Sequence, residues 1–159
     1  MEIEVEPEIK EREEQERAPA ERKVDYQEIV VSEVTDELHV YTQRVDQKNS
    51  LESMLTRLRA DIAANPPLSG AYTPKKGELA IAKFTEDNEW YRVRIEKVAG
   101  GNSHVFYIDY GNREIIENTR IAALPAGFNT EKPFATENIL ALVTLPKDVC
   151  IQCLKFLVY

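Results

Sequence analysis

The chain has 159 residues, 43% of them hydrophobic and 30% charged, with a net charge of −8. That length suits one ordinary domain or two very small ones, more polar than a compact enzyme of this size. Its two cysteines, Cys150 and Cys153, exclude a disulfide framework, and no basic signal region or apolar run of roughly 20 residues marks it for export or for a membrane. The expected setting is therefore cytoplasmic, and also nuclear. The charge is unevenly spread: residues 1–23 and 24–70 each carry −4, whereas 71–126 and 127–159 balance. An acidic approach attracts arginine-rich partners and repels nucleic-acid phosphate.

Residues 1–23, rich in Glu and Arg, read as a charged linker, a solvated helix or a disordered segment with nothing to bury. Two β-like runs follow at 28–34 and 38–45, joined by the polar turn 35–37. In the second, Leu38, Val40 and Thr42 alternate with His39, Tyr41 and Gln43, as in a half-buried strand. Residues 50–64 change to helical period, with Leu51, Met54, Leu55, Leu58 and Ile62 on one face. Asn49 or Ser50 is the expected cap, Glu52 and Ser53 fall in the expected first turn, and Asn65-Pro66-Pro67 ends the helix.

From Gly77 onward the pattern is a run of short strands at 78–84, 89–98, 104–108 and 113–116. Asp87-Asn88, residues 99–102 and Gly111-Asn112 are the turns between them. Strands this short within about 50 residues suit a small barrel, which closes to avoid exposed edges. Tyr91, Val93 and Ile95 are expected to face inward, and Arg92, Arg94 and Glu96 outward. A turn at 118–124 would cover one end, and a returning strand is expected at 137–145.

Four rings of this barrel, Phe84, Tyr91, Tyr107 and Tyr110, fall at strand ends or turns. Tyr107 and Tyr110 are an odd number of residues apart, so both reach one pocket only if the chain bends at Ile108-Asp109. A planar, weakly hydrated guanidinium would slide between parallel rings and interact with their faces. The Asn112 side chain would accept one of the N–H groups that methylation leaves, without burying a second charge. The other reading of these aromatics is plain barrel core, and Trp90 is assigned to packing.

The strings Ala82-Lys83-Phe84, Glu89-Trp90-Tyr91-Arg92 and Val105-Phe106-Tyr107-Ile108-Asp109-Tyr110-Gly111-Asn112 resemble the Tudor domain. With the lead-in hairpin and helix, residues 24–146 are similar to the extended Tudor modules of the Tudor-SN family. The resemblance implies a mainly β fold with one long helix, a small Tudor barrel (71–126) inserted in a staphylococcal-nuclease-like, OB-fold domain. Residues 24–70 would be the first part of that domain and 127–146 its returning strand. The tail 147–159 departs from the family pattern, as if the second fold were incomplete. The resemblance also implies that Phe84, Tyr91, Tyr107 and Tyr110 are cage walls and Asn112 the hydrogen-bonding partner. Asp109 would support a ring or a turn. The implied ligand is symmetrically dimethylated arginine in Arg-Gly or Arg-Ala repeats of Sm-type or Piwi-type proteins in RNA processing or RNA interference, with no cofactor and no catalysis.

Two other functions have some support in the residues. A metal-dependent nuclease needs clustered carboxylates and phosphate-binding arginines; Arg44, Asn49 and Glu52 echo that spacing, with an amide where a metal ligand belongs. A nucleic-acid module, or weak RNA contact, would use Lys75, Lys76, Arg92, Arg94 and Lys97 as a basic strip, although Glu78, Glu89 and Glu96 interleave with it. Cys150 and Cys153 have metal-site spacing but no partner histidine, so no metal is expected.

Overall fold

A computed structural model describes residues 26–37 and 39–139. The β-branched run Ile29–Val34 forms β1 and pairs antiparallel with β2, His39–Arg44, across a bulge between Val31 and Glu33. The hairpin turn is tied by the Thr35 N–H to the His39 carbonyl at 2.9 Å. β2 also pairs with β8, Ala135–Ile139, from the far side of the described chain. The three make an antiparallel sheet in the order β1-β2-β8. β8 begins two residues before the expected returning strand, and 140–145 lie outside the described residues, as do 1–25 and the tail with Cys150 and Cys153.

The helix α1 runs Lys48–Ala64, two residues earlier than its caps suggested. A 3-10 turn at Val45–Gln47 leads into it, and the Lys48 N–H bonds back to the Val45 carbonyl. The chain thus enters the helix through backbone bonds, and Gln47 at the cap position makes no side-chain cap bond. Asn49 and Ser50 sit inside the first turn and Glu52 beyond it, so the expected cap and the expected acidic first turn are both corrected. The apolar face is as the period predicts. Leu51, Met54, Leu55, Leu58 and Ile62 are buried against Ile81, Ala122 and Phe128.

The second sheet holds β3 (Leu79–Lys83), β4 (Trp90–Ala99), β5 (Asn102–Tyr107), β6 (Arg113–Glu117) and β7 (Ile121–Ala123). Its order is β6-β5-β4-β3-β7. β7 replaces part of the turn expected at 118–124; a three-residue Ile-Ala-Ala strand is too short to show a period. Ala80, Ala82, Val93, Ile95, Val105, Tyr107, Ile116 and Ile121 come from all five strands yet share one core, so the sheet is rolled. It is half open rather than closed. Among the described residues β6 and β7 do not pair, and a 3-10 turn at Asn118–Arg120 bridges them.

One residue keeps its expected outward face but is buried there. Arg92 is 1% exposed. The segment after β7 crosses that face of β4, and Arg92 donates to the carbonyls of Phe128 and Glu131, both at 2.9 Å. No helix among the described residues is long and apolar enough to cross a membrane.

Candidate functional site

A cavity of about 450 Å³ opens at one end of the rolled sheet, and Phe84, Tyr91, Tyr107, Tyr110 and Asn112 all line it. Phe84 lies one residue beyond β3, past the last ladder pair of Lys83 with Trp90. Its N–H donates to the Glu89 carbonyl at 3.0 Å, and Asn88 donates back to the Phe84 carbonyl at 3.0 Å. Asn88 takes φ +58, a left-handed conformation that asparagine tolerates better than most residues. Tyr91 is the second residue of β4, at the rim of the inward row.

Tyr107 ends β5, and a turn follows immediately. The N–H groups of Tyr110 and Gly111 reach the Tyr107 carbonyl at 3.2 and 2.8 Å, and the Tyr107 N–H bonds the Asn112 carbonyl at 2.9 Å. Gly111 has φ +94. The reversal through Ile108–Gly111 brings both tyrosines to one cavity despite their odd spacing. That bend is where the sequence placed it.

Neighbouring walls are not parallel. Phe84 and Tyr107 meet at 78° with centroids 5.3 Å apart, Phe84 and Tyr91 at 88° and 6.3 Å, and Tyr91 and Tyr107 at 81° and 6.2 Å. Tyr110 meets Tyr91 at 88° and 5.5 Å. These four neighbouring pairs therefore meet edge to face, an arrangement their quadrupoles favour, rather than as the expected parallel plates.

The phenols stay neutral at ordinary pH. Burial, with the Tyr91 hydroxyl donating to Asp87 at 2.6 Å, pushes its pKa up to about 12. Burial likewise raises Tyr107, whose hydroxyl donates to Glu114 at 2.8 Å, and Tyr110, beside the charge of Asp109. Glu33, Glu86, Asp87 and Glu114 also line the cavity and give it a negative field. Arg113, the one base among the described lining residues, is engaged elsewhere: its guanidinium lies 4.6 Å from the Phe106 centroid and its Nε 3.1 Å from Glu96. The Asn112 side-chain amide makes no hydrogen bond among the described residues, so its oxygen and nitrogen remain for a ligand.

Asp109 supports the turn rather than a ring. Its carboxylate, 1% exposed, takes Arg92 in a two-pronged pair at 2.6 and 2.9 Å and accepts the Phe134 N–H at 3.2 Å. The first sheet holds the same turn from the other side. Ser32 Oγ donates to the Tyr110 carbonyl at 2.6 Å, and Gln43 Nε2 to the Asp109 carbonyl at 2.6 Å. Tyr41 packs directly on Gly111, where a Cβ would lie 2.7 Å from Tyr41 Cδ1 and closer still to Cγ. Sequence reasoning missed Ser32, Tyr41 and Gln43 as parts of the site; the only local hint was the glycine itself. It also missed Asp87 and Glu114 as partners of cage hydroxyls.

The basic strip is not continuous. Arg92 is buried, Arg94 lies 5.1 Å from the Phe106 centroid, and Lys75 pairs with Glu78 at 3.7 Å. Arg44 pairs with Asp46 at 2.5 Å, and Glu52 stands 4.0 Å from Lys48. No group of three or more His, Cys, Asp or Glu side chains that could hold a metal occurs among the described residues. Trp90 packs against the helix-side core, with Lys83 Nζ 5.2 Å from its ring.

Comparison with known proteins agrees with this fold. Residues 21–142 match the Tudor domain family. The chain belongs to the Tudor family. This Tudor chain is 48% identical over 147 residues to staphylococcal nuclease domain-containing protein 1 of Drosophila melanogaster, an alignment covering 92% of the chain and 16% of that protein. It thus spans only a small part of that relative's length. Its structure is similar to the extended Tudor domain of Drosophila melanogaster Tudor-SN (p100), with a TM-score of 0.75 and 50% identity over 78% of this chain and 58% of that one. A complex of Tudor with Aubergine bearing a symmetrically dimethylated arginine is similar at a TM-score of 0.67 and 25% identity, covering 82% of this chain and 75% of that one. The fold of the described residues, two antiparallel sheets and one α-helix, is that of an extended Tudor domain, a binding module.

Proposed function

We propose that this Tudor chain is a non-enzymatic adaptor that reads symmetrically dimethylated arginine in Arg-Gly or Arg-Ala repeats. The observation that carries the reading is the convergence of Phe84, Tyr91, Tyr107 and Tyr110 on one acid-lined cavity, with the Asn112 amide at its wall unpaired among the described residues. A dimethylated guanidinium keeps its charge while gaining apolar surface, so it suits neutral ring faces within a negative field. Its remaining N–H groups suit a side-chain carbonyl better than a second buried charge. Tudor seen in complex with dimethylated Aubergine supports the same ligand here. Partners of the Piwi type or Sm type, and work in the cytoplasm or nucleus, belong to this proposal. So does a nuclease-like, OB-fold domain around the barrel.

A single cage gives affinity in roughly the micromolar to millimolar range, because a few cation–π contacts are set against ordering a flexible peptide. Repeated arginines or further domains of a longer protein would raise it by multivalency. Calorimetry with matched Arg-Gly peptides bearing arginine, symmetric dimethylarginine or trimethyl-lysine tests the reading. The dimethylated peptide should bind at least tenfold tighter than the others, and Tyr110→Ala should remove the difference. Equal binding of all three, or an unaffected Tyr110→Ala variant, overturns it.

A further inference from the structure

We infer that Arg120 is a positioning residue for the cage: its guanidinium locks the loop between β3 and β4 and thereby sets the place of the Phe84 ring. Arg120 closes the 3-10 turn at Asn118–Arg120, outside the cavity lining. Its Nε lies 3.2 Å from the Lys83 carbonyl, and one Nη lies 2.9 Å from the Phe84 carbonyl and 2.8 Å from Asn88 Oδ1. One planar fork thus holds the last residue of β3, the cage ring's own backbone and the left-handed residue of the turn. Among the described residues Arg120 has no carboxylate within ion-pair distance.

That placement is electrostatically adverse for a cation site. Arg120 is close enough to act on the Tyr107 hydroxyl, so its charge opposes the field that Asp87 and Glu114 set up. What offsets the opposition is order. Phe84 stands beyond the β3–β4 ladder, and Thr85 Oγ1 crosses to the Glu114 carboxylate beside the cavity. A loop free to swing would carry the Phe84 wall and the Asp87 carboxylate away together. A guanidinium presents fixed donors in one plane from separate nitrogens, here Nε and one Nη; the three donors of an ammonium diverge from a single nitrogen and do not reproduce that fork.

The ligand arm of the test rests on the methylarginine reading, and the structural arm does not. Arg120→Gln, Arg120→Lys and Asn88→Gly are compared with the unaltered chain in two measurements. The first is proton NMR of the ligand-free protein, reading contacts between the Phe84 and Tyr107 rings. The second is calorimetry with dimethylated and unmodified Arg-Gly peptides. Arg120→Gln should weaken Phe84–Tyr107 contacts and cost about tenfold in affinity for the dimethylated peptide, the scale of one lost cation–π wall. Binding of the unmodified peptide should change less than twofold. Arg120→Lys keeps the charge without the fork and should stay within threefold of Arg120→Gln. Asn88→Gly keeps the left-handed turn but removes one acceptor, and should cost two- to threefold even if Arg120→Gln does not fold. Unchanged ring contacts in Arg120→Lys and Asn88→Gly, or full binding in Arg120→Lys, overturn the proposal. If the unaltered chain fails to distinguish the peptides, the methylarginine reading falls, and the ring contacts still decide the role of Arg120.

Discussion

Gly111→Ala should be among the most damaging single-methyl additions this chain can receive. Two effects combine there. Gly111 has φ +94, and an L-residue held in the left-handed half of backbone space costs about 1–2 kcal/mol. The added Cβ would also sit 2.7 Å from Cδ1 of Tyr41 and closer to its Cγ and Cβ. Tyr41 is only 3% exposed, its ring 5.5 Å from that of Phe106, and its hydroxyl donates to Glu137 at 3.0 Å. It therefore has nowhere to retreat, and overpacking of this kind costs about 1–3 kcal/mol. The sum, roughly 2–5 kcal/mol, is a large share of the 5–15 kcal/mol that holds an ordinary domain together. Urea unfolding followed by the fluorescence of Trp90, the single tryptophan, measures it. A double-mutant cycle with Tyr41→Ala separates the two effects, because removing the ring should recover the overpacking part and leave the backbone part. A loss under about 1 kcal/mol for Gly111→Ala, or a cycle with no coupling, would refute the claim that this glycine is required by the close approach of Tyr41.

Asp109→Asn should destabilise by about 3–5 kcal/mol, because it leaves the buried Arg92 guanidinium without its counter-charge; urea unfolding showing less than about 1 kcal/mol would count against that pair as the support of the turn. The Tyr91 hydroxyl, raised from 10.0 to about 12, contributes stability that is complete below pH 10 and is lost as pH rises from about 10 to about 12. Thermal melts across that window should fall more gently in Tyr91→Phe, though not flatten, since Tyr72, Tyr107 and Tyr110 are raised as well; an identical slope in the variant would contradict the assignment.

What was legible in the sequence is what local physics controls. The apolar face of α1 follows from a period of three and four, and the bend between Tyr107 and Tyr110 from a glycine that permits it. What was not legible comes from distant chain. Two-residue alternation sends Arg92 outward correctly, but it says nothing of the 127–134 segment, whose carbonyls lie 36 to 40 residues further on and close over it. Ser32 reaches Tyr110 across 78 residues and Gln43 reaches Asp109 across 66, with no pattern in either strand to announce it. The edge-to-face ring contacts likewise follow from how β3, β4 and β5 roll together. The helix starts earlier than its polar residues suggest because a 3-10 turn does by backbone bonding what a capping side chain would do.

The pairing of β2 with β8 has a consequence for the order in which the molecule assembles. Everything from 45 to 134 is, topologically, one loop between two neighbouring strands. Closing so long a loop in an unstructured chain costs about 4 kcal/mol. A rolled sheet that has already formed brings the two ends near each other and removes most of that cost. The rolled sheet, whose hairpins are local, should therefore come first, and β8 should dock late. Native-state hydrogen exchange should then find the amides of β8 opening more readily than those of β4. Three of the rings stand on early-forming chain, while the bond that holds the Tyr110 carbonyl comes from the sheet that β8 completes. The cage is then a latecomer to its own barrel, matured by a strand that follows all four of its rings along the chain.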